Sequence, residues 1–177
     1  MSKPPPQRVR VTRLQEAQID AVVAIDRACK EAAHRAGVPA ADWPVRGLAG
    51  MAALTKMHNV VAAEADGVVA GFAAWRDESP GVAILEDVAV APDMQRLGVG
   101  KRLFEAVLEE ARAVSLPVLL ARPWDKVPSG RAFLVKAGMV PIEKLEASER
   151  VQMWREEHES AGGVLKPGQA LLGQSLL

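Results

Sequence analysis

Residues 85–101 read LEDVAVAPDMQRLGVGK and form the most informative stretch of the chain. An apolar run predicts a buried strand, and a loop with Gly98 and Gly100 then leads into a strongly amphipathic helix. The first turn of a helix has unpaired N–H groups and a partial positive charge, and glycines allow a phosphate to approach the main chain. The junction therefore predicts an anion site, to which Arg96 and Lys101 add local positive charge.

Three phosphate-binding motifs are distinguished by their spacing. A P-loop requires glycine where this chain has Gln95 and Ser or Thr where it has Arg102. A dinucleotide-binding motif requires a third glycine where this chain has Leu103. The pattern that fits is Q/R-x-x-G-x-G/A, which residues 95–100 match.

Composition limits the class of protein. The chain has 177 residues, the size of one domain, with 49% hydrophobic residues and 22 basic and 22 acidic side chains. A net charge of zero argues against nucleic acid and anionic membranes as partners. The single Cys29 excludes an internal disulfide and any multi-cysteine metal site, and no metal is expected. No secretory leader and no apolar run of about 18 residues is found, so we expect a cytoplasmic protein.

Hydrophobic periodicity predicts the order β-α-α-β-β-β-α-β-α-β-β. Four segments have helical spacing: Gln15–Ala36, Val45–Met57, the segment from the glycine loop to about Val114, and Pro128–Lys136. Seven segments have strand character: Arg8–Leu14, Asn59–Glu64, Val68–Arg76, Val82–Val90, Pro117–Ala121, Met139–Leu145 and Arg150–Arg155.

These elements predict an α/β fold in the loose sense, or α+β: a single domain with a mixed, mostly antiparallel sheet and helices on both faces. We expect the domain to span residues 8–155, after a disordered lead-in over residues 1–7. Residues 156–177 are expected to form a tail that is either disordered or docked on a partner subunit. The apolar end of this tail offers an edge for a homodimer.

Four segments, in order and at matching spacing, resemble the GNAT superfamily of N-acetyltransferases. Besides the loop they are the strand pair at residues 60–72, the strand at residues 86–92 and the segment RAFLVKAGM at residues 131–139. The resemblance implies a single GNAT-like domain that uses acetyl-CoA as co-substrate. It also implies direct transfer of the acetyl group to an amine of a small molecule or a protein.

The resemblance also implies which residues hold the co-substrate. The loop main chain would bind the pyrophosphate through Gln95, Arg96, Leu97, Gly98, Val99, Gly100 and Lys101. The fourth strand would splay from the fifth, and backbone groups of Val88, Ala89 and Val90 would bind the pantetheine arm and the thioester carbonyl. Ser129 either replaces the cofactor contact of the family's usual Asn or caps its helix.

A base is required because an amine with a pKa of ~10.4 is protonated at neutral pH. Glu86 matches the family's base and would also contact the acceptor, with Asp87 as the second candidate. Adjacent strand residues point to opposite faces, so at most one of the pair needs to be catalytic, and the other reading is a salt bridge at the sheet edge.

One residue departs from the family pattern. The usual general acid is a Tyr, but the chain has no tyrosine and that position holds Leu134. A water molecule or Ser129 would then protonate the thiolate, or the chain is a non-catalytic acyl-CoA-binding module. Trp43 lies in the loop that forms part of the family's acceptor site, where it either lines the pocket or only fixes the loop.

Overall fold

The fold is described from a computed structural model, which covers residues 6, 8–78, 81–145, 149–160 and 165–176. Of the expected lead-in at residues 1–7, only residue 6 lies among the described residues. The described strands are β1 (Val9–Arg13), β2 (Asn59–Ala65), β3 (Val68–Glu78), β4 (Val82–Val90), β5 (Val118–Ala121), β6 (Val140–Pro141) and β7 (Leu172–Ser175). The α-helices are α1 (Ile19–Arg35), α2 (Leu48–Met57), α3 (Val99–Ala113), α4 (Pro128–Lys136) and α5 (Glu149–Ser160).

The seven strands form one sheet in the order β1-β2-β3-β4-β5-β7-β6. β1 pairs with β2, and β2 with β3, in antiparallel fashion, whereas β4 and β5 are parallel. The predicted α+β class is therefore confirmed. None of the helices in the described part of the chain is long and apolar enough to cross a membrane.

The chain divides into two compact units, of which the first comprises Met1–Trp75 and Asp87–Val107. Its core joins α1 and α2 to the sheet through buried apolar side chains. The members of this core are Val22, Ile25, Met51, Leu54, Val60, Phe72, Ala74 and Ala89. Because Phe72 faces this core, its neighbour Gly71 faces the other side, where Leu103 of α3 lies against it. Helices thus cover both faces of the sheet in this unit.

Gly71 brings β3 and β4 unusually close together. A Cβ atom at this position would lie 2.6 Å from the carbonyl oxygen of Ala89 and 3.0 Å from Leu103. No side chain fits there without moving the main chain, so glycine sets the spacing beside the end of β4.

The second unit comprises Arg76–Glu86 and Leu108–Leu177. Its core packs α5 against β4 and β5, with Trp154 fully buried. The indole Nε1 of Trp154 donates a hydrogen bond to Glu78 at 3.0 Å, which satisfies the polar atom of this buried ring.

The last two predicted strands are wrong in part. Arg150–Arg155 lies within α5, because Val151 and Trp154 are buried at helical spacing while Met153 is 51% exposed. Of Met139–Leu145, only Val140–Pro141 is a strand, and a 3₁₀ turn follows at Ile142–Lys144.

The expectation that residues 156–177 form a tail, either disordered or docked on a partner subunit, is also wrong for the described residues of that range. α5 continues to Ser160, and Leu172–Ser175 forms β7, which lies between β5 and β6 and pairs with both. Burial of Leu171 and Leu172 in the second unit stabilises this short strand in the sheet. Both sides of β7 are paired, so the expected dimer edge on the tail is not available. Residues 161–164 lie outside the described residues.

Candidate functional site

The loop between β4 and α3 has the backbone conformation of an anion-binding nest. A 3₁₀ turn at Pro92–Met94 leads to Gln95, which is extended (φ −66°, ψ 150°). Arg96 (φ 64°) and Gly98 (φ 87°) then adopt left-handed conformations. Such alternation turns successive main-chain N–H groups toward a common point. A left-handed arginine is unfavourable by roughly 1 kcal/mol or more, and strain of this kind is concentrated at functional sites.

The N-terminus of α3 adds further main-chain donors. The first helical hydrogen bond runs from the N–H of Arg102 to the carbonyl of Gly98, at 3.2 Å. The N–H groups of Val99, Gly100 and Lys101 precede that bond and have no helical acceptor. No heavy atom lies within 4 Å of the point where a Cβ of Gly98 would be, so the loop is open there. These donors fit a diphosphate.

A side-chain bond fixes the loop to the end of β4. The amide Nε2 of Gln95 donates to the carbonyl of Val90 at 3.1 Å, and the thiol of Cys29 donates to the same oxygen at 3.4 Å. Burial raises the pKa of Cys29 to about 11. Cys29 therefore stays a protonated donor at neutral pH.

The direction of each peptide decides which backbone groups of β4 are available. The N–H of Ala91 bonds to Ala70 of β3, so the carbonyl of Val90 points away from β3, where Gln95 and Cys29 occupy it. The carbonyl of Ala89 lies against Gly71 on the β3 side. The expected cofactor roles of these two carbonyls are therefore not supported by the geometry.

Two backbone groups of β4, the N–H groups of Val88 and Val90, remain candidates for the predicted cofactor contact. The N–H of Val90 points away from β3, because it lies opposite the Ala89 carbonyl in a trans peptide. The described ladder between β4 and β5 ends at Leu85↔Ala121, so Val88 and Val90 lie beyond its last pair.

Glu86 forms an ion pair in the middle of β4. Its Oε2 lies 3.2 Å from Nη2 of Arg122, and each side chain is 27% exposed. The pair holds the carboxylate in place while leaving it accessible to solvent. The solvent-accessible carboxylate stays a candidate for proton exchange with a ligand.

Asp87 lies in a different environment, a buried charge cluster that consists of Asp26, Lys30, Arg46 and Asp87. Nη1 of Arg46 lies 2.9 Å from Asp26 and 2.5 Å from Asp87, and the main-chain N–H of Arg46 donates to Asp26 at 2.8 Å. Nζ of Lys30 lies 2.8 Å from Asp26 and 3.7 Å from Asp87. Burial raises the pKa of Asp87, while Lys30 and Arg46 act in the opposite direction.

The sequence analysis missed three members of this cluster: Asp26, Lys30 and Arg46. Asp26 and Lys30 are four residues apart on α1 and in phase with the buried Val22, so both lie on the face that packs against the sheet. The sequence does contain a sign of this cluster, because two charged residues occupy positions at which the helical spacing predicts buried apolar side chains. Arg46 is in the loop before α2, where periodicity gives no information about burial.

Three further expected residues are placed by the structure. The carbonyl of half-buried Trp43 lies 2.8 Å from Nε2 of His34, and Nζ of Lys30 lies 5.6 Å from the centre of the Trp43 ring. Ser129 is exposed in the first turn of α4, and the N-cap position belongs to Val127, so the capping role is wrong. Leu134 is buried and offers no hydroxyl. Among the described residues, no group of three or more acidic, histidine or cysteine side chains is arranged to hold a metal ion.

Comparison with known proteins identifies what this geometry is similar to. The family model described as Acetyltransferase (GNAT) family matches residues 20–132. No curated protein matches the sequence. Among solved structures, a GNAT-family acetyltransferase from Staphylococcus aureus has a TM-score of 0.71 at 12% identity, covering 96% of this chain and 100% of that one.

Two other solved structures show the same fold. The PaiA N-acetyltransferase from Thermoplasma acidophilum, in complex with coenzyme A, has a TM-score of 0.70 at 11% identity and covers 96% of this chain and 99% of that chain. The ribosomal-protein-S18-alanine N-acetyltransferase from Escherichia coli has a TM-score of 0.66 at 16% identity, with 96% and 94% covered.

Proposed function

The chain belongs to the GNAT acetyltransferase family, whose members carry out acyl-CoA-dependent acetyl transfer, and on this premise we propose that it acetylates an amine of a small molecule or a protein. The proposal names Glu86 as the base and the main chain of residues 95–101 as the holder of the pyrophosphate of acetyl-CoA. Direct transfer to the amine is part of the proposal.

The observation that carries this proposal is the open loop before α3. Left-handed Arg96 and Gly98, together with the unpaired N–H groups of the first helical turn, present several donors to one anion. Lys101 and Arg102, which are 75% and 63% exposed as side chains and share Glu105 as a partner at 3.7 Å, bring one net positive charge beside it. The oxygens of a diphosphate would accept hydrogen bonds from these donors.

Each remaining group has a defined role in the transfer. Acetyl-CoA supplies an activated acyl carbon and a thiolate leaving group. Glu86 accepts one proton of the acceptor ammonium, and the freed nitrogen lone pair forms the C–N bond as the C–S bond breaks. The nitrogen then releases a second proton to water, and this proton neutralises the thiolate. The N–H groups of Val88 and Val90 stabilise the negative charge that develops on the carbonyl oxygen.

Proton return to the sulfur needs no protein side chain. Leu134 cannot donate a proton, so water supplies it in this proposal. A thiol has a pKa near ~8.5 and leaves readily as the thiolate, so the missing acid slows the reaction without preventing it.

A thiol-release assay tests the proposal. Purified protein is mixed with acetyl-CoA and a panel of primary amines, including a peptide with a free N-terminus. We expect release of coenzyme A above buffer for at least one amine. Mass spectrometry should show that this amine has gained one acetyl group. Binding of coenzyme A without turnover of any amine would instead favour the non-catalytic binding module.

A further inference from the structure

The ion pair of Glu86 and Arg122 joins two neighbouring parallel segments just beyond the last pair of their ladder. The ladder between β4 and β5 ends at Leu85↔Ala121, and Glu86 and Arg122 are the next residues along each segment. Residues in register on parallel strands project from the same face of a sheet. The two side chains therefore meet side by side, and Nη2 of Arg122 donates a hydrogen bond to Oε2 of Glu86 at 3.2 Å.

A buried apolar core lies next to this pair. Ile84 and Leu120, two residues earlier on each strand, project from the same face and are fully buried in the core that includes Trp154. Glu86 and Arg122 are each 27% exposed, so the pair lies at the boundary between this core and solvent. An ion pair at such a boundary is stronger than one between fully exposed side chains, because less water screens it.

The main chain around Arg122 is fixed by the segment that precedes β7. Nε2 of Gln169 donates to the carbonyl of Arg122 at 3.3 Å, and the N–H of Ala170 donates to the carbonyl of Pro123 at 3.0 Å. Trp124 and Gln169 form an antiparallel bridge. Arg122 is therefore held at its main chain as well as at its guanidinium.

The pair leaves one oxygen of the carboxylate available. Oε2 of Glu86 is engaged by Arg122, and no donor to Oε1 is found among the residues that the structure describes. A glutamate side chain in solvent samples many rotamers, because three of its bonds rotate. A general base must instead keep one oxygen within about 2.6–3.2 Å of the atom that bears the proton. The ion pair supplies this restriction.

We propose that Arg122 is a positioning residue of the acetyl transfer: it holds Oε2 of Glu86 so that Oε1 accepts one proton of the acceptor ammonium. This inference rests on the proposed function, in which Glu86 is the base. A guanidinium does not lose its proton at neutral pH, so Arg122 takes no part in the proton transfer and acts only through Glu86. A fixed base raises the rate because it meets the nitrogen in a reactive geometry.

Arg122→Gln is expected to lower kcat by roughly 10- to 100-fold for an amine that the wild type acetylates, as for a reacting group displaced by about 1 Å. KM for that amine should change less than about threefold, and affinity for coenzyme A less than about twofold. Arg122→Lys keeps a positive charge beside Glu86 without the planar fork and should recover part of the loss. Arg10→Gln is the matched control and should behave as wild type, because Arg10 pairs with Glu64 at 2.7 Å across β1 and β2.

A double-mutant cycle distinguishes positioning from a general structural role. In a Glu86→Gln background the base is already absent, so adding Arg122→Gln should lower kcat by less than about twofold. A structural defect would instead lower kcat by the same factor in both backgrounds. A crystal structure of Arg122→Gln gives a readout that does not depend on activity, and in it Glu86 should occupy a different rotamer or several.

The outcomes separate this inference from the proposed function. If the wild type turns over no amine, the proposed function fails, and the rotamer of Glu86 in Arg122→Gln still shows whether Arg122 holds the carboxylate. If the wild type is active, unchanged kcat in Arg122→Gln, an equal loss in both backgrounds or an unchanged Glu86 rotamer would each overturn the role of Arg122. If Arg122→Gln does not fold, the same cycle and crystal structure are obtained with Arg122→Lys, for which a smaller loss of the same kind is expected.

Discussion

Glu86→Gln is expected to lower kcat/KM at neutral pH by roughly 10²- to 10⁴-fold, the range associated with loss of a general base. The amide keeps the size of the side chain and an oxygen for Arg122 but does not accept a proton at neutral pH. Affinity for coenzyme A should stay within twofold, because the loop donors are unchanged. Steady-state thiol release measures the first quantity, and titration calorimetry measures the second.

The pH dependence gives this prediction a second readout. Because an acceptor with a pKa of ~10.4 deprotonates by itself at high pH, the defect of Glu86→Gln should shrink as pH rises toward 10. Glu109→Gln, an exposed glutamate on α3, is the matched control and should behave as wild type. An activity of Glu86→Gln within twofold of wild type at neutral pH would remove Glu86 from the mechanism.

Asp87→Ala is expected to lower the free energy of unfolding by about 3–5 kcal/mol, as for removal of one partner from a buried charge cluster. The substitution leaves Arg46 and Lys30 with only Asp26 to balance two positive charges. Asp87→Asn keeps an oxygen for Arg46 and should lose less. Urea unfolding followed by circular dichroism measures both values.

This prediction assigns Asp87 the role of holding Arg46 and Lys30 in place, whereas Glu86 is the proposed base. Asp77→Ala, at an exposed position of β3, is the matched control and should change stability by less than about 0.5 kcal/mol. Unchanged stability together with a loss of kcat as large as that of Glu86→Gln would instead make Asp87 the base.

Local pattern was sufficient for most of the fold. β4 and α4 have the predicted bounds, Val82–Val90 and Pro128–Lys136, because a proline lies at or within two residues of one end of each element. The C-terminal region was not predictable in the same way. β7 has four residues, including Gly173 and Gln174, and its place between β5 and β6 depends on distant contacts that the local sequence does not record.

The candidate site, like the fold, could be predicted from the sequence only in part. The glycine pattern of residues 95–100 predicted a loop whose geometry suits an anion, because backbone conformation there depends on local residue types. The role of Asp87 was not accessible, because the partners that surround it come from α1 and from the loop before α2. Which of two adjacent carboxylates is buried is decided by tertiary packing, on which the sequence of β4 carries no information.

Calorimetric titration of the purified protein with coenzyme A and, separately, with pantetheine tests the central claim most directly. Because pantetheine lacks the pyrophosphate together with the 3′-phosphoadenosine that it carries, we expect it to bind at least ~100-fold more weakly, and salt should weaken only the binding of coenzyme A. No heat with coenzyme A, or equal affinity for the two ligands, would contradict a diphosphate site formed by the main chain of residues 95–101.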